Sequence, residues 1–445
     1  MYLVNSTQMI QAVQKLSRTL AMPPLEAKAM ARVLDLSEKS RTIINENVDG
    51  RKGNWGFMFM FYKTIQPTMA AAGDGLNKMN RTSIQRVEEL LDDLNARAGS
   101  RLGLFALVKH QIALATSDAV YGPGNPFRDP VNADAYWEFE SGVIKLLLGL
   151  DRFAKGTVTA RGKVMEAFKE YFRVGAHKSG SEMIQAHYDH AIAYQLPLDD
   201  LARLEVGAAL GVFSNIVPTT FWMLYHLYSD PEALEDCRRE ISNILERETD
   251  EHGRSTHVID VSHLRSSCPT LLSAFQETLR LHTVGASARM VMEDMTLDGK
   301  YFLKEGGIVI LPQTVQHTDI SFWGPDIHEF NCKRFLDKNS RQASIAFRGF
   351  GGGTTLCPGR HFATTEILAY TAMFMMRFDV RPSEQTWKQP TTKKAGMWTV
   401  VEGPDHDIDV SIHSRQCEKV PPRWLLRLSK SDHVMVLAAE DNKSS

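Results

Sequence analysis

The chain of 445 residues is poor in cysteine and has no excess of charge of either sign. Its five cysteines show no spacing typical of a zinc site or a disulfide scaffold, which favours a reducing compartment. A formal net charge of −2 provides no basic field for nucleic acid, so we expect no nucleic-acid binding. No segment offers roughly 18 consecutive apolar residues, so the sequence predicts no membrane span, and no signal peptide is recognisable at the start.

Hydrophobic residues make up 43% of the chain, which is enough to fill the core of one large domain. The first half shows mostly the three- and four-residue apolar spacing of helices, whereas short strands are predicted between residues 288 and 311. Residues 398–402 and 408–413 are predicted to form a hairpin around Gly403 and Pro404. The pattern therefore predicts a mainly α fold with a smaller β part.

Cys357 lies at the end of a glycine-rich segment, residues 350–363, directly before a predicted helix. Pro358 suits the first helical turn, and the free N–H groups of that turn favour a thiolate. A thiolate facing a flat cofactor is what axial ligation of haem iron requires. The alternative, a small buried hydrophobic residue, is our interpretation for the other cysteines, which are Cys237, Cys268, Cys332 and Cys417.

The spacing of Phe350, Gly353, Cys357, Gly359 and Ala363 resembles the haem-binding loop of the cytochrome P450 superfamily. The resemblance implies the cytochrome P450 fold over residues 1–445 as a single catalytic domain, with a long central helix over the haem. It also implies haem b (iron protoporphyrin IX) as cofactor. Cys357 would be the iron ligand, and the other four residues would surround the cofactor.

The resemblance also assigns partners to the haem propionates. Arg289 corresponds best to the family's propionate-binding arginine. The family commonly has a basic residue two positions before the cysteine, where this chain has Thr355, and the usual tryptophan and arginine pair of an early helix is not recognisable. Arg360 is a candidate substitute.

Glu277 and Arg280 are three residues apart on one predicted helix face. Such a pair is commonly a surface contact, but the apolar neighbours here favour a buried pair, which needs a further partner. Arg334 lies where the family supplies that partner. The resemblance thus implies a network of Glu277, Arg280 and Arg334 that locks the haem loop from behind, with a role in folding and haem retention. Cys332 stands where the family often has proline.

Ser214 and Asn215 occupy the part of the central helix where the family usually has an acid–alcohol pair that delivers protons. Pro218 cannot bond to the carbonyl of Ser214, so we expect a kink and a polar notch that holds a water or the distal oxygen. The alternatives are a simple kink and a local hydrogen bond from Asn215 to its own helix. Asn215, Pro218 and the pair Phe221–Trp222 resemble the subgroup of cholesterol 7α-hydroxylase and prostacyclin synthase, with fungal relatives.

The resemblance implies a substrate pocket of small or apolar residues, which favours a bulky lipid-like, steroid or terpenoid substrate. These residues are Ala208, Gly211, Val212, Gly285, Ala286, Met397 and Trp398. The alternative is that about half of them are ordinary core residues.

We expect a haem-thiolate monooxygenase of sterol, lipid or secondary metabolism that takes electrons from NADPH–cytochrome P450 reductase, since no flavin or nicotinamide motif is present. A basic docking face for that reductase, or simply a solvated surface, is predicted from Lys333, Lys338, Arg341, Arg348 and Arg360. The subgroup leaves open a haem-thiolate peroxide isomerase or dehydratase that needs no reductase. A non-catalytic haem-binding protein is a third possibility.

The resemblance implies that the chain begins inside the catalytic domain. Eukaryotic members usually carry a hydrophobic anchor and a hinge before that domain. We therefore expect either a soluble protein or a shortened form of one that associates with membranes. The expected oligomeric state is a monomer. The expected location is the cytoplasm or the cytoplasmic face of the endoplasmic reticulum.

Overall fold

The computed structural model describes residues 1–48, 50, 56–71, 73–249, 251, 255–336, 346–353, 356–395, 399–415 and 421–429. Helices dominate, as the sequence predicts. They are α1 (Thr7–Lys15), α2 (Pro23–Val33), α3 (Glu38–Asn45), α4 (Phe57–Ile65), α5 (Asp74–Ala96), α6 (Leu104–Tyr121), α7 (Pro130–Leu147), α8 (Lys155–Arg173), α9 (Glu182–Ala193), α10 (Leu198–Phe213), α11 (Ile216–Ser229), α12 (Pro231–Ile244), α13 (Val261–Ser267), α14 (Pro269–His282), α15 (Gln313–His317), α16 (Ile320–Trp323) and α17 (Arg360–Arg377).

The strands form small sheets beside the helices, which confirms the smaller β part. They are β1 (Tyr2–Leu3), β2 (Leu20–Ala21), β3 (Arg101–Gly103), β4 (Glu246–Thr249), β5 (Ser255–Asp260), β6 (Ala286–Val291), β7 (Met295–Leu297), β8 (Tyr301–Leu303), β9 (Ile308–Pro312), β10 (Phe378–Pro382), β11 (Asp409–Ser414) and β12 (Arg423–Arg427). Their orders are β1-β9-β6-β2, β10-β11-β3, β12-β5-β4 and β7-β8. The first sheet carries β6, which brings Arg289 toward the site.

The predicted hairpin is wrong. Residues 409–414 do form a strand, β11, but it pairs antiparallel with β10 and β3. Val401 instead makes an isolated bridge to Thr283, directly after α14. The segment before Gly403 therefore belongs to the wall beside α11 and α14, and the turn at Gly403 and Pro404 does not close a hairpin.

The long apolar pattern of the central helix divides into α10 and α11, with a turn at residues 214–215. Pro218 follows within the first turn of α11, where its missing N–H costs little. The segment Leu198–Ser229 is long and apolar enough to cross a membrane, but 72% of its most apolar window is buried inside the protein. Such burial is typical of a core helix.

Two hydrophobic clusters meet at this turn. Phe213 packs in a cluster with α4, α7 and α8, whereas Ile216 packs in a cluster built from α5, α6, α11, α14 and α17. Phe362 of α17 belongs to the first cluster. The turn at 214–215 thus lies where the two halves of the core join, and the helix that follows Cys357 reaches both.

Candidate active site

The Cys357 loop is folded tightly by its own backbone. The N–H of Cys357 donates to the carbonyl of Phe350 at 3.0 Å, and the N–H of Gly351 donates to Arg348 at 3.0 Å. Gly351 and Gly353 have φ values of 78° and 65°, a region that favours glycine. Cys357 itself is half-buried, whereas Cys237, Cys268 and Cys332 are buried. The loop therefore sets Cys357 apart from those three cysteines.

Gly352 allows close packing of the loop against other residues of the protein. A Cβ atom at this position would lie 2.8 Å from Nη1 of Arg348 and 3.2 Å from Nε2 of Gln14. The missing side chain thus makes room for two neighbouring residues of the protein. The nearest atoms to a Cβ on Gly359 would be Sγ of Cys357 and Cε of Met69, at 3.8 and 3.9 Å, which are ordinary contact distances.

Two opposing effects act on the thiol of Cys357. Burial raises its pKa and is the larger effect, while the N–H groups of Gly359 and Arg360 and the charge of Arg360 lower it. The first turn of α17 does direct its N–H groups at the sulfur, as expected. A cation bound at the sulfur would favour the thiolate further.

The contacts predicted among Glu277, Arg280 and Arg334 are present. Arg280 donates to both carboxylate oxygens of Glu277, at 2.7 and 2.8 Å, and Nε of Arg334 donates to Oε1 at 2.9 Å. Glu277 is 0% exposed and Arg280 2%. Arg334 also bonds to both carboxylate oxygens of Asp326, each at 3.0 Å. Each charge in this buried network thus has a partner of opposite sign, which offsets desolvation.

The network reaches the Cys357 loop through α15. Nη1 of Arg280 donates to the carbonyl of His317 at 3.0 Å. Nε2 of His317 accepts from the backbone N–H of Arg348 at 2.9 Å, and Nε2 of Gln313 donates to the carbonyl of Arg348 at 3.2 Å. The start of the loop is therefore fixed from behind by a continuous chain of hydrogen bonds.

Arg289 is 3% exposed and lies in an environment with acidic and phenolic groups. Its Nη1 donates to Oγ of Ser287 at 2.5 Å and to the carbonyl of Ala288 at 2.9 Å. Burial lowers the pKa of Arg289, while Tyr62 and Glu26 act in the opposite direction. Tyr62 donates to Glu26, whose pKa is raised by burial. Arg289 thus sits in a polar cluster that sequence reasoning missed, because Glu26 and Tyr62 belong to early helices without a recognisable motif.

Arg360 lies beside the cysteine backbone. Its Nη1 donates to the carbonyl of Cys357 at 3.1 Å, which fastens the loop to the first turn of α17. Of the other predicted haem neighbours, Phe350 packs 6.2 Å from Phe275 between ring centroids, and Ala363 packs against the larger cluster. Phe350 and Ala363 thus fill space around the loop, and the role of Arg360 at a propionate stays a prediction.

Asn215 is bound in a way that the sequence did not predict. Its Oδ1 accepts from the backbone N–H groups of Val400 and Val401, at 3.2 and 3.1 Å. Because both partners are donors, the side-chain oxygen must face them and the NH₂ group must point elsewhere. Asn215 lines a cavity, so the amide is a donor held at the cavity wall. The local hydrogen bond considered as an alternative is not the one formed by this side chain.

Ser214 is 4% exposed and also lines the cavity. Its Oγ lies 3.1 Å from the hydroxyl of Tyr136, which donates to the carbonyl of Ala209 at 3.3 Å. Together with Asn215, these groups make a polar notch in an otherwise apolar wall. The notch arises from the turn at 214–215 and from Tyr136 of α7.

A cavity of about 420 Å³ lies beside α10. Its apolar lining comes from α2, α4, α7, α9 and α10, and comprises Ala29, Met30, Val33, Leu34, Phe57, Met58, Phe61, Val143, Leu147, Ala191, Leu201, Leu204, Gly207, Ala208, Leu210 and Gly211, with Val400 from the adjacent segment. Of the predicted pocket residues, Ala208 and Gly211 are in this lining. The Cα of Gly211 faces open space, since a Cβ atom built at this position would meet no atom within 4 Å.

The other predicted pocket residues do not lie in this lining. Val212 packs against a hydrophobic cluster, Gly285 packs on Val400, and Ala286 is exposed in β6. The reason is the register of α10, which directs residues 207, 208 and 211 inward and residue 212 to its neighbour. Met397 and Trp398 lie outside the described residues.

Four polar residues of the cavity were missed by sequence reasoning, namely Glu26, His187, Glu205 and Thr399. His187 of α9 and Glu205 of α10 line it, and Nδ1 of His187 bonds to Oε2 of Glu205 at 2.8 Å. Glu205 lies within the long apolar pattern of the central helix and was interpreted only as part of that pattern. A single acidic residue within such a pattern is the signal that would have indicated a buried polar contact.

The predicted basic docking face is wrong for Arg348. Arg348 is 5% exposed, so it cannot form a surface. Lys333 already pairs with Glu232 and Asp236, at 3.0 and 2.9 Å, which offsets its charge. Lys338 and Arg341 lie outside the described residues.

The residues present fit a haem. Cys357 offers a soft sulfur donor, half-buried and approached by helix N–H groups, and such a donor suits iron. Arg289 offers a buried cation of the sign that a propionate requires. Within the described ranges no cluster of three or more His, Cys, Asp or Glu residues competes as a metal site.

Comparison with known proteins agrees with this geometry. The family model described as Cytochrome P450 matches residues 201–406. A cytochrome P450 monooxygenase, nodJ, of Hypoxylon pulicicidum is 30% identical over 446 residues, which cover 97% of this chain and 84% of that protein. A cytochrome P450 monooxygenase of Gibberella zeae is 28% identical over 353 residues, which cover 75% of this chain and 66% of that protein.

The subgroup resemblance is also supported. The cholesterol 7-alpha-monooxygenase of Cricetulus griseus is 27% identical over 227 residues, which cover 47% of this chain and 45% of that protein. The identity to nodJ extends over nearly the whole chain, and the residues matched by the family model include the Cys357 loop. This chain belongs to the cytochrome P450 family and is an oxidoreductase of the monooxygenase type.

Proposed function

We propose that this monooxygenase oxidises a bulky apolar small molecule, such as a sterol, terpenoid or other lipid, with dioxygen and electrons from NADPH–cytochrome P450 reductase. The observation that carries the proposal is the cavity of about 420 Å³, apolar along most of its wall and polar at Ser214 and Asn215. Cavities of this size and lining suit small molecules of low polarity. The name of the Cricetulus griseus relative, a cholesterol monooxygenase, supports a substrate in the sterol size range.

The cofactor that we propose is haem b, held by the thiolate of Cys357. When bound, it supplies the activation of dioxygen for insertion of one oxygen atom into an unactivated C–H bond. Arg289 would pair with a propionate, in a cluster with Tyr62 and Glu26. The network of Glu277, Arg280 and Arg334 retains the cofactor by holding the loop in place.

The protein's own residues then orient the substrate and control protons. The apolar side chains of the cavity exclude water and leave the substrate few polar contacts. The NH₂ group of Asn215, fixed by its bonds to Val400 and Val401, donates a hydrogen bond into the notch. The hydroxyls of Ser214 and Tyr136, 3.1 Å apart, can pass a proton between them.

The reductase as partner, the monomeric state and the location at the cytoplasm or the cytoplasmic face of the endoplasmic reticulum stay predictions. Membrane association of a longer form also stays one. Arg348 is buried and so cannot contribute to a docking surface for the reductase.

The experiment is reconstitution of the purified protein with NADPH–cytochrome P450 reductase and a panel of cholesterol, a diterpene and a long-chain fatty acid. We expect a product that contains one added oxygen atom and that requires NADPH and the reductase. Turnover of a lipid hydroperoxide without reductase, and no product with it, would contradict the proposal in favour of a peroxide isomerase or dehydratase. Haem binding with no turnover in either assay would favour a non-catalytic protein.

A further inference from the structure

Glu205 and His187 form a buried polar pair in the cavity wall. Glu205 is 2% exposed and His187 7%. Oε1 of Glu205 accepts from the hydroxyl of Tyr121 at 3.0 Å, and Oε2 lies 2.8 Å from Nδ1 of His187. The ring of Phe61, another cavity residue, packs 5.1 Å from the His187 ring. The imidazole is therefore held from two sides, by a carboxylate and by an aromatic ring.

The hydrogen bond to Glu205 determines which nitrogen of His187 carries a proton. A carboxylate accepts, so Nδ1 must donate, and in the neutral ring Nε2 is then an acceptor. Nε2 lies on the other side of the ring from Glu205. Within the described part of the chain, the hydrogen bond found for the His187 ring is the one made by Nδ1. Since His187 lines the cavity, its acceptor is offered to whatever fills the cavity.

The pair lies far from the notch at Asn215. Glu205 lies eight residues before the end of α10 at Phe213, which corresponds to about 12 Å along the helix axis, and Asn215 follows in the turn after it. The cavity touches both of them and is apolar for most of the wall between them. A substrate that fills it meets the hydrogen-bond acceptor of His187 and the polar notch at Asn215.

We propose that His187 selects substrates that carry a hydroxyl group, with Glu205 and Tyr121 as positioning residues. The inference rests on the proposed function and narrows its substrate class to apolar alcohols of extended shape. The hydroxyl donates to Nε2 and fixes which carbon reaches the notch. In an apolar wall, a hydrogen bond to a held acceptor discriminates strongly, because a substrate without the hydroxyl leaves Nε2 unpaired.

The test uses the haem-loaded protein and probes whose imidazole ring ligates the iron, so it needs no knowledge of the natural substrate. Two series of probes of increasing chain length are compared, namely 1-alkylimidazoles and ω-(imidazol-1-yl)alkanols. The measurements are made at about pH 8, which is above the ordinary imidazole pKa of about 6.5. Dissociation constants come from the shift of the Soret band. At one matching length we expect the alcohol to bind about fivefold to tenfold more tightly than the alkyl probe.

The His187→Phe variant should lose this gain, measured as the ratio of the dissociation constants of the alkyl and alcohol probes of matching length. Tyr188→Phe is the matched control, because Tyr188 lies on the same helix but stacks on His177, outside the cavity lining, and the gain should persist. Binding of the alkyl probes tests the haem site and the fold. Failure of the proposed function would therefore appear as a loss of alkyl-probe binding, whereas failure of this inference would appear only in the gain from the hydroxyl group.

A second variant distinguishes recognition from a merely structural role. In Glu205→Gln, the amide oxygen can still accept from Tyr121, and the NH₂ group then donates to Nδ1 of His187, which makes Nε2 the donor. Probes with a terminal methyl ether, which only accepts, should gain affinity in this variant but not in the wild type. A hydroxyl gain absent at every length in the wild type, or undiminished in His187→Phe, would overturn the proposal.

Discussion

The network behind the Cys357 loop and the wall of the cavity use buried polar groups in opposite ways. Behind the loop, Glu277 accepts from both Arg280 and Arg334, and the remaining donors bond to backbone carbonyls and to the carboxylate of Asp326. In the cavity, Asn215 and His187 use one polar atom for the protein and offer the other to the cavity. Saturated groups fix a structure, whereas half-used groups recognise a ligand.

The largest effect is expected from Glu277→Gln, which leaves two buried arginines without their shared carboxylate. Loss of one partner in such a network costs about 3–5 kcal/mol of unfolding free energy. The variant should also retain less haem, because the loop is held through Arg280 and His317. Urea denaturation and the ratio of Soret to protein absorbance measure both.

The control for Glu277→Gln is Lys333→Ala, which removes an exposed ion pair with Glu232 and Asp236 and should leave the urea midpoint unchanged. Equal midpoints for the two variants would contradict the role assigned to the buried network.

A pH effect of about 3 kcal/mol is expected from Glu366 of α17. Its carboxyl accepts from the hydroxyls of Ser83 and Thr116, each at 2.7 Å, and burial raises its pKa from 4.5 to about 7. A raised pKa means that the folded state holds the proton more tightly. The contribution to stability is therefore complete below pH 4.5 and is lost as the pH rises to about 7.

Glu366→Gln should flatten this part of the pH profile, measured as the urea midpoint at intervals between pH 4.5 and 7. The difference between the wild type and this variant isolates the one carboxyl, and the exposed Glu384→Gln should keep the wild-type slope. Parallel profiles for Glu366→Gln and the wild type would show that Glu366 is ionised in the folded protein throughout.

A smaller effect is expected at Asn215, which belongs to both the wall and the notch. Asn215→Ala leaves the N–H groups of Val400 and Val401 without their acceptor and should cost about 1–3 kcal/mol. Asn215→Asp keeps an oxygen toward both N–H groups but replaces the donor in the notch. It should retain more stability than Asn215→Ala and lose product formation in the reductase assay. Full activity in Asn215→Asp would contradict the role of the Asn215 NH₂ group as a hydrogen-bond donor.

The smallest effect is expected at Gly211, where a methyl group would enter open cavity space. Because alanine favours a helix over glycine, Gly211→Ala should raise the unfolding free energy by about 0.5–1 kcal/mol. Gly207→Ala is the matched variant one turn earlier, where a Cβ would lie 2.7 Å from Cδ1 of Leu34. Denaturation midpoints should rank Gly211→Ala above Gly207→Ala, and the reverse order would mean that the cavity wall collapses at Gly211.

The sequence predicted the parts of the site that depend on local order along the chain. A helix does follow Cys357, but it begins at Arg360, so Pro358 lies before it and not in its first turn. The contact of Glu277 with Arg280 follows from helical spacing. The mainly α fold follows in the same way from apolar periodicity.

Contacts between distant segments were not predictable from one sequence. Nothing near Asn215 indicates that its oxygen binds Val400, which lies 185 residues away, and nothing near His187 indicates Glu205. Helix register also decides between adjacent residues, so Gly211 lines the cavity and Val212 does not. The hairpin at Gly403 failed for the same reason, because strand β11 finds its partners in β10 and β3.

The central claim is that the sulfur of Cys357 holds the haem iron, and the carbon monoxide difference spectrum of the reduced protein tests it most directly. The wild type and Cys332→Ala, which alters a buried cysteine away from the loop, should both show the strongly red-shifted Soret band that a thiolate ligand produces. Cys357→Ala should lack this band. A red-shifted band of wild-type intensity in Cys357→Ala would contradict the account.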